Sequence, residues 1–151
     1  MKWITRERPK IDRIACPWLI ARFLDQEPEF LFVPASEVLP LAKREGAVAF
    51  DIPGVELTHF GEQCSFDAFL ERYGLHEPAL QQLAVIVRGA DTSRLDLAPQ
   101  SAGLYALSLG LSRNFSDDHE MLQHGLVMYD ALYAWCRDCQ GETHNWPPKM
   151  S

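Results

Sequence analysis

With 151 residues, 47% of them hydrophobic, the chain carries enough apolar surface for one ordinary buried core and needs no disulfide framework to hold it. Its formal net charge of −7 weighs against a generic nucleic-acid binder, because duplex affinity comes mainly from Lys and Arg neutralising phosphates. No stretch approaches the roughly 18–20 apolar residues of a membrane span, and the amino terminus MKWITRERPKIDR alternates charges where a signal peptide has an apolar stretch, so a cytoplasmic protein with no membrane partner is expected.

In chain order, Lys2 to Thr5 read as a short strand, and the charged segment Arg6 to Arg13, which contains Pro9, as a loop. A helix follows to about Asp25; Pro17 is comfortable only in a first turn, so the helix is predicted to begin close to Cys16. Glu29 to Val33 is a second strand, and a helix capped by Ser36 ends before Gly46. Ala47 to Phe50 is a third strand with Asp51 at its carboxyl end, Ile52-Pro53-Gly54 a turn, and Val55 to Phe60 a further strand. Ser65 caps a helix that Gly74 stops. Pro78 opens a helix towards Arg88, Pro99 another to Arg113, and a last helix runs from about Asp117 to Arg137 with Leu122, Leu126, Tyr129, Leu132, Tyr133 and Cys136 as its core stripe. The pattern is that of an α/β protein: a mainly parallel sheet in the N-terminal half with a helical C-terminal half. Residues 1–139 are expected to form a single domain and residues 140–151, with Trp146-Pro147-Pro148, a loosely ordered tail.

Several constellations carry chemical promise. The loop TRERPKIDR brings Arg6, Arg8, Lys10 and Arg13 towards a helix N-terminus, where free N–H groups already favour an anion, although Glu7 and Asp12 balance part of that charge. Asp12 and Asp51 follow strands, His59 lies in THFGE with Glu62 three residues on, and Asp91 ends VRGAD. Carboxylates with a neutral imidazole, drawn from separate segments, form a ligand set for Mn, Fe or Zn. Singly, Asp51 and Asp91 are ordinary turn formers and His59 an ordinary surface histidine.

Cys16, at a predicted helix start beside Arg13, is either a thiol of lowered pKa with redox reactivity or a buried core residue against Trp18. Asp117-Asp118-His119-Glu120 looks like a metal cluster by composition but fits a helix cap better, with Glu120 and His124 as a weak pair on one face. Cys136-x-x-Cys139 lacks a second pair, and His144 alone completes a poor zinc site.

The strings TRERPKIDRIACPWLIARFLD, FLFVPASEV, FDIPGVELTHFGEQCSFDAFLERYGL, IVRGADT and YDALYAWC resemble the ChrB-type chromate-resistance domain, over nearly the whole chain to about Arg137. The resemblance implies a connection with chromate, or with wider oxyanion and redox stress. Members of that family occur alone, as the C-terminal half of longer regulators and fused to rhodanese-like domains; DNA-binding regulation is not expected of the compact domain by itself. A fainter resemblance is to DHH-type metal-dependent phosphoesterases, especially their MYG-like branch. It would make Asp12, Asp51, His59 and Asp91 metal ligands and SFDAFLERYG the helix beside them. The departure is at the paired histidines, reduced here to His59-Phe60, which implies a ligand fewer and puts hydrolysis in doubt.

Two expectations stand side by side. In the first, a divalent ion on Asp12, Asp51, His59 and Asp91 acts on a small anionic substrate held by the basic loop and Arg88, in a hydrolase or a redox enzyme. In the second, a non-catalytic oxyanion sensor binds through Arg6, Arg8, Lys10 and Arg13, with Cys16 adding redox sensitivity. The sequence leaves homo-oligomerisation and the choice between catalysis and sensing open.

Overall fold

The computed structural model describes residues 1–144, and its centre is the strand β1 (Lys2–Arg6), flanked on both sides by parallel partners: β2 (Glu29–Val33) and β3 (Val48–Ala49), in the order β2-β1-β3. The pleat sends successive side chains of β1 to opposite faces. Trp3 enters the main core and packs on Phe69, while Ile4 enters a small second core with Val38 and Ile52. Both faces are covered, which is how parallel sheets are normally buried. Helix α2 (Val38–Glu45) lies on the Ile4 face; α1 (Asp12–Leu19), α3 (Ser65–Arg72), α4 (Pro78–Asp91), α5 (Ser101–Asn114) and α6 (Asp118–Ala134) contribute to the main core. Among the described residues no helix is long and apolar enough to cross a membrane.

Helix α1 begins at Asp12, four residues before the predicted start, so Pro17 lies inside it. Ile14 N and Ala15 N both donate to Ile11 O, and the first amide, Asp12 N, donates to Asp91 Oδ1 at 3.3 Å. The cap therefore comes from a residue 79 positions away, which no local capping rule can find. Past Pro17 the helix widens into a π-turn over Ile20–Leu24. Ser36 sits inside a 3₁₀ turn (Ala35–Glu37) and does not cap α2 by its side chain, whereas Gly46 ends that helix with φ +64°, as expected.

Residues 55–60 do not form the predicted strand. Asp51 N bonds Leu57 O at 2.8 Å and Phe60 pairs with Gln63, so this stretch is a tight loop that carries His59. Cys64, not Ser65, occupies the cap of α3, with its N–H on Asp67 Oδ2 at 3.0 Å. Asp117 caps α6 by accepting the Glu120 N–H at 2.9 Å. The predicted stripe of α6 faces the core, with Leu122, Tyr129 and Cys136 buried and Leu126, Leu132 and Tyr133 packed against them. A π-turn (Trp135–Cys139) follows, the Gln140 side chain pairs with that of Gln82, and Glu142 N donates to Cys139 O; residues 145–151, with Trp146-Pro147-Pro148, lie outside the described residues.

Candidate metal centre

Two of the site's carboxylates stand where a parallel sheet usually builds its ligand sites, beyond the carboxyl ends of the strands. Asp12 follows β1 through the basic loop, and Asp51 follows β3 with one residue, Phe50, between. The 55–63 loop lowers His59 onto them, and α4 delivers Asp91 as its last residue. His59 Nε2 lies 2.9 Å from Asp91 Oδ2, 3.3 Å from Asp51 Oδ1 and 3.4 Å from Asp12 Oδ2. The three carboxylates nominated from the sequence thus converge on one ring nitrogen of the fourth nominated residue, His59.

The surroundings fix each group. Asp12 is fully buried; its carboxylate accepts the backbone N–H groups of Ser65 at 2.6 Å and Phe66 at 3.0 Å, at the positive end of α3. Burial nevertheless pushes its pKa up to about 7. Asp51 accepts from Ser65 Oγ at 2.6 Å and from Arg6 Nη2 at 3.1 Å, and Arg13 Nε stands 3.3 Å away. Burial opposes its ionisation, but the His59 and Ser65 hydrogen bonds and the Arg6 charge outweigh burial and hold Asp51 below the usual carboxylate range. His59 responds to Asp12, Asp51 and Asp91 together and is pushed up to about 12.

One N–H cannot satisfy three carboxylate oxygens. A divalent cation can, and this is the test of fit for a metal. One ligand atom from each of Asp12, His59 and Asp91 lies within 4.8 Å of the others, against a separation of up to about 4.4 Å for ligands bound about 2.2 Å from a shared ion. Carboxylate oxygens with one imidazole suit Mn, Fe or Zn better than a soft, thiol-seeking ion. His59 is 42% exposed, so the centre opens to solvent on that side.

The backbone around the site is bent to this end. Arg8, Ile11 and Asp51 have φ of +54°, +44° and +50°. For a β-branched residue such as Ile11 this conformation costs roughly 1–3 kcal/mol. Ile11 O anchors it by accepting from Ile14 N, Ala15 N and the Tyr129 hydroxyl.

The basic residues divide. Arg6 and Arg13 flank Asp51, and Arg13 Nη1 also donates to Arg6 O and Glu7 O at 2.8 and 2.9 Å. Arg6 Nε is buried without a hydrogen-bond partner. Arg8 turns away to the end of α5, where it donates to the carbonyls of Ser112, Phe115 and Ser116. Lys10 is exposed. Arg88 makes a two-pronged pair with buried Asp67, at 3.0 and 2.9 Å.

Cys16 lies in the second turn of α1, fully buried, with Sγ 3.6 Å from Asp12 Oδ1. Burial first, then Asp12, pushes its thiol well above the ordinary value, opposite to the lowered pKa expected of a helix-start cysteine. The earlier start of α1 is the reason: the thiol no longer meets free N–H groups. Ser65, Cys64 and Asp67 are the supporting residues that the sequence reading missed; Ser65 reads locally as a cap, and only the fold reveals that it bridges Asp12 and Asp51. His119 meets the Phe32 ring and His124 stacks on Phe115 at 4.2 Å. Among the described residues, Asp12, His59 and Asp91 are the one group of such side chains with converging ligand atoms, so Cys136, Cys139 and His144 do not assemble a second.

The family model described as ChrB, C-terminal domain, matches residues 3–136. Protein ChrB of Cupriavidus metallidurans is 31% identical over 134 residues, covering 88% of this chain and 40% of that protein. The chain therefore spans well under half the length of that curated relative. No solved structure matches.

Proposed function

Because the chain belongs to the ChrB C-terminal domain family, we propose that it is a chromate-resistance-associated domain that holds one divalent ion (Mn, Fe or Zn) and acts enzymatically on a small anionic substrate. The observation that carries this reading is the convergence of Asp12, Asp51 and Asp91 on His59 Nε2 within 3.4 Å. Asp12, His59 and Asp91 would hold the ion, with Asp51 beside them. When bound, the ion would supply Lewis acidity towards an oxyanion or a water molecule.

The chain's own residues set the conditions for that chemistry. Ser65 orients Asp51 through its hydroxyl and Asp12 through its amide. Arg6 and Arg13 counter the charge of Asp51 and place positive potential beside the centre for an incoming anion. The cytoplasm is the compartment that goes with this reading, since it keeps thiols such as Cys16 and Cys64 reduced.

The test is elemental analysis of protein purified without a metal-affinity tag, beside its His59→Ala variant. Stoichiometric metal in the first and none in the second is expected; absence of metal from the unsubstituted protein, even after reconstitution, sinks the reading.

A second reading, a non-catalytic oxyanion sensor, is favoured by one observation, the unpartnered buried Arg6 Nε. It predicts chromate binding that survives metal removal and is lost in the Arg6→Ala, Arg13→Ala double variant.

A further inference from the structure

The 61–63 loop and the carboxyl end of α4 line an open cavity of about 340 Å³ whose walls include Glu62, Gln63, Arg88, Thr92, Arg94 and Leu97. The same two segments supply His59, two residues before Gly61, and Asp91, next to Thr92. We propose that this cavity is the substrate pocket, and that Arg88 and Arg94 recognise the terminal oxyanion group, of phosphate type, of a small organic molecule. The inference rests on the metal reading only in saying that the bound molecule faces that centre.

The two arginines are set up differently. Arg88 is held rigid: Nε and Nη2 are taken by Asp67, which is 5% exposed and also accepts the Cys64 N–H, so Nη1 is left for a ligand. A guanidinium fixed in this way loses little freedom on binding. Arg94 is held loosely. Its partner is Asp96, and the two side chains are 53% and 69% exposed. Such a surface pair contributes little in water, so an entering oxyanion can replace Asp96 on the guanidinium.

Size and lining identify the rest of the molecule. A volume of about 340 Å³ is about ten times the roughly 30 Å³ share of one water molecule and sits at the small end of ligand pockets. A bare tetrahedral ion leaves most of it unfilled. Leu97 offers an apolar wall for an organic body, and Glu62 turns away a second strongly anionic group while accepting from a hydroxyl or an amine. The chemistry is that of a small organic monoester with one terminal oxyanion.

The probes are phenyl phosphate and inorganic phosphate, titrated calorimetrically into the metal-free full chain, where turnover does not interfere. Phenyl phosphate is expected to bind, and more tightly than inorganic phosphate. Arg94→Ala is expected to weaken it roughly tenfold or more, the loss of one charge-assisted contact. Arg88→Lys, which keeps a cation against Asp67, is expected to weaken it as well with the circular dichroism spectrum unchanged. No binding of phenyl phosphate, or equal binding by the Arg94→Ala variant, overturns the inference. Metal uptake without Arg94-dependent binding defeats this inference and leaves the metal centre standing; Arg94-dependent binding in a chain that takes up no metal does the reverse.

Discussion

Asp12 holds the amides of Ser65 and Phe66 at 2.6 and 3.0 Å, so the carboxylate at the heart of the proposed metal centre is also the anchor for the start of a helix 53 residues further on. Binding and stability are therefore coupled at this residue and separable at His59. Replacing Asp12 by Ala strands two buried N–H donors, at about 1–3 kcal/mol each, so a loss of roughly 3 kcal/mol is expected. Asp12→Asn keeps an acceptor oxygen and removes a buried charge, and is expected to cost less. Urea unfolding of the metal-free proteins reads both values; an Asp12→Ala variant within about 0.5 kcal/mol of the unsubstituted chain contradicts the anchoring role.

The metal-free protein is expected to lose stability as pH rises from 5 to 8. Asp12, raised to about 7, keeps in the folded state a proton that the unfolded chain releases near pH 4. His59, raised to about 12, keeps one that the unfolded chain releases near pH 6.5. In both cases the folded state binds more protons than the unfolded one, so stability falls with rising pH across these windows. Asp51 has the opposite sign, and its lowered pKa acts below about pH 4. A metal ligand must be deprotonated, so uptake at pH 7 is expected to release about one proton from His59 and about half of one from Asp12. Calorimetry of metal binding in two buffers of different ionisation enthalpy measures that number, and a value of zero rules out His59 as a ligand.

The parallel sheet, the boundaries of β2 and the four converging residues were legible in the sequence, because strand ends and turn residues leave local marks. What was missed was non-local. The start of α1 is capped by Asp91, so nothing near Asp12 marks it, and Pro17 lies inside the helix and not in its first turn. Residues 55–60 alternate like a strand, but they fold back on Asp51 and Gln63 to carry His59. Of the two readings of Cys16, the structure shows the buried core residue; the reactive thiol depended on the misplaced helix start. Arg8, read as an anion ligand, fastens the basic loop to the end of α5, a contact 104 residues long in sequence.

Helices α1 and α6 approach closely where a Cβ on Gly125 would stand 2.5 Å from Ile14 Cγ2. Gly125→Ala therefore forces Ile14, which is fully buried, to move. Over-packing of this kind costs about 1–3 kcal/mol, more than the helix-propensity gain of roughly 1 kcal/mol from replacing Gly. Combining it with Ile14→Ala, which removes Cγ2, is expected to cost less than the sum of the two single changes. Additive losses would show that the two sites do not touch.

The Arg88–Asp67 pair sits between the cavity and the core, and its two partners should not be equally replaceable. Asp67 is 5% exposed and receives the Arg88 side chain at 2.9 Å and the Cys64 N–H at 3.0 Å. Arg88→Ala leaves that carboxylate buried with only the N–H and the weakly donating thiol of Cys64. Breaking a fully buried pair costs about 3–5 kcal/mol, and the 23% exposure of Arg88 argues for the lower end. Asp67→Asn retains the shape and an acceptor for Cys64 while the arginine reaches water, so it is expected to be the milder change. If the loss in Arg88→Ala comes from the orphaned carboxylate, adding Asp67→Asn should restore part of it. Chemical denaturation of the two single variants and the double variant decides: partial rescue assigns the cost to the stranded charge, and strict additivity assigns it to lost packing of the arginine stem.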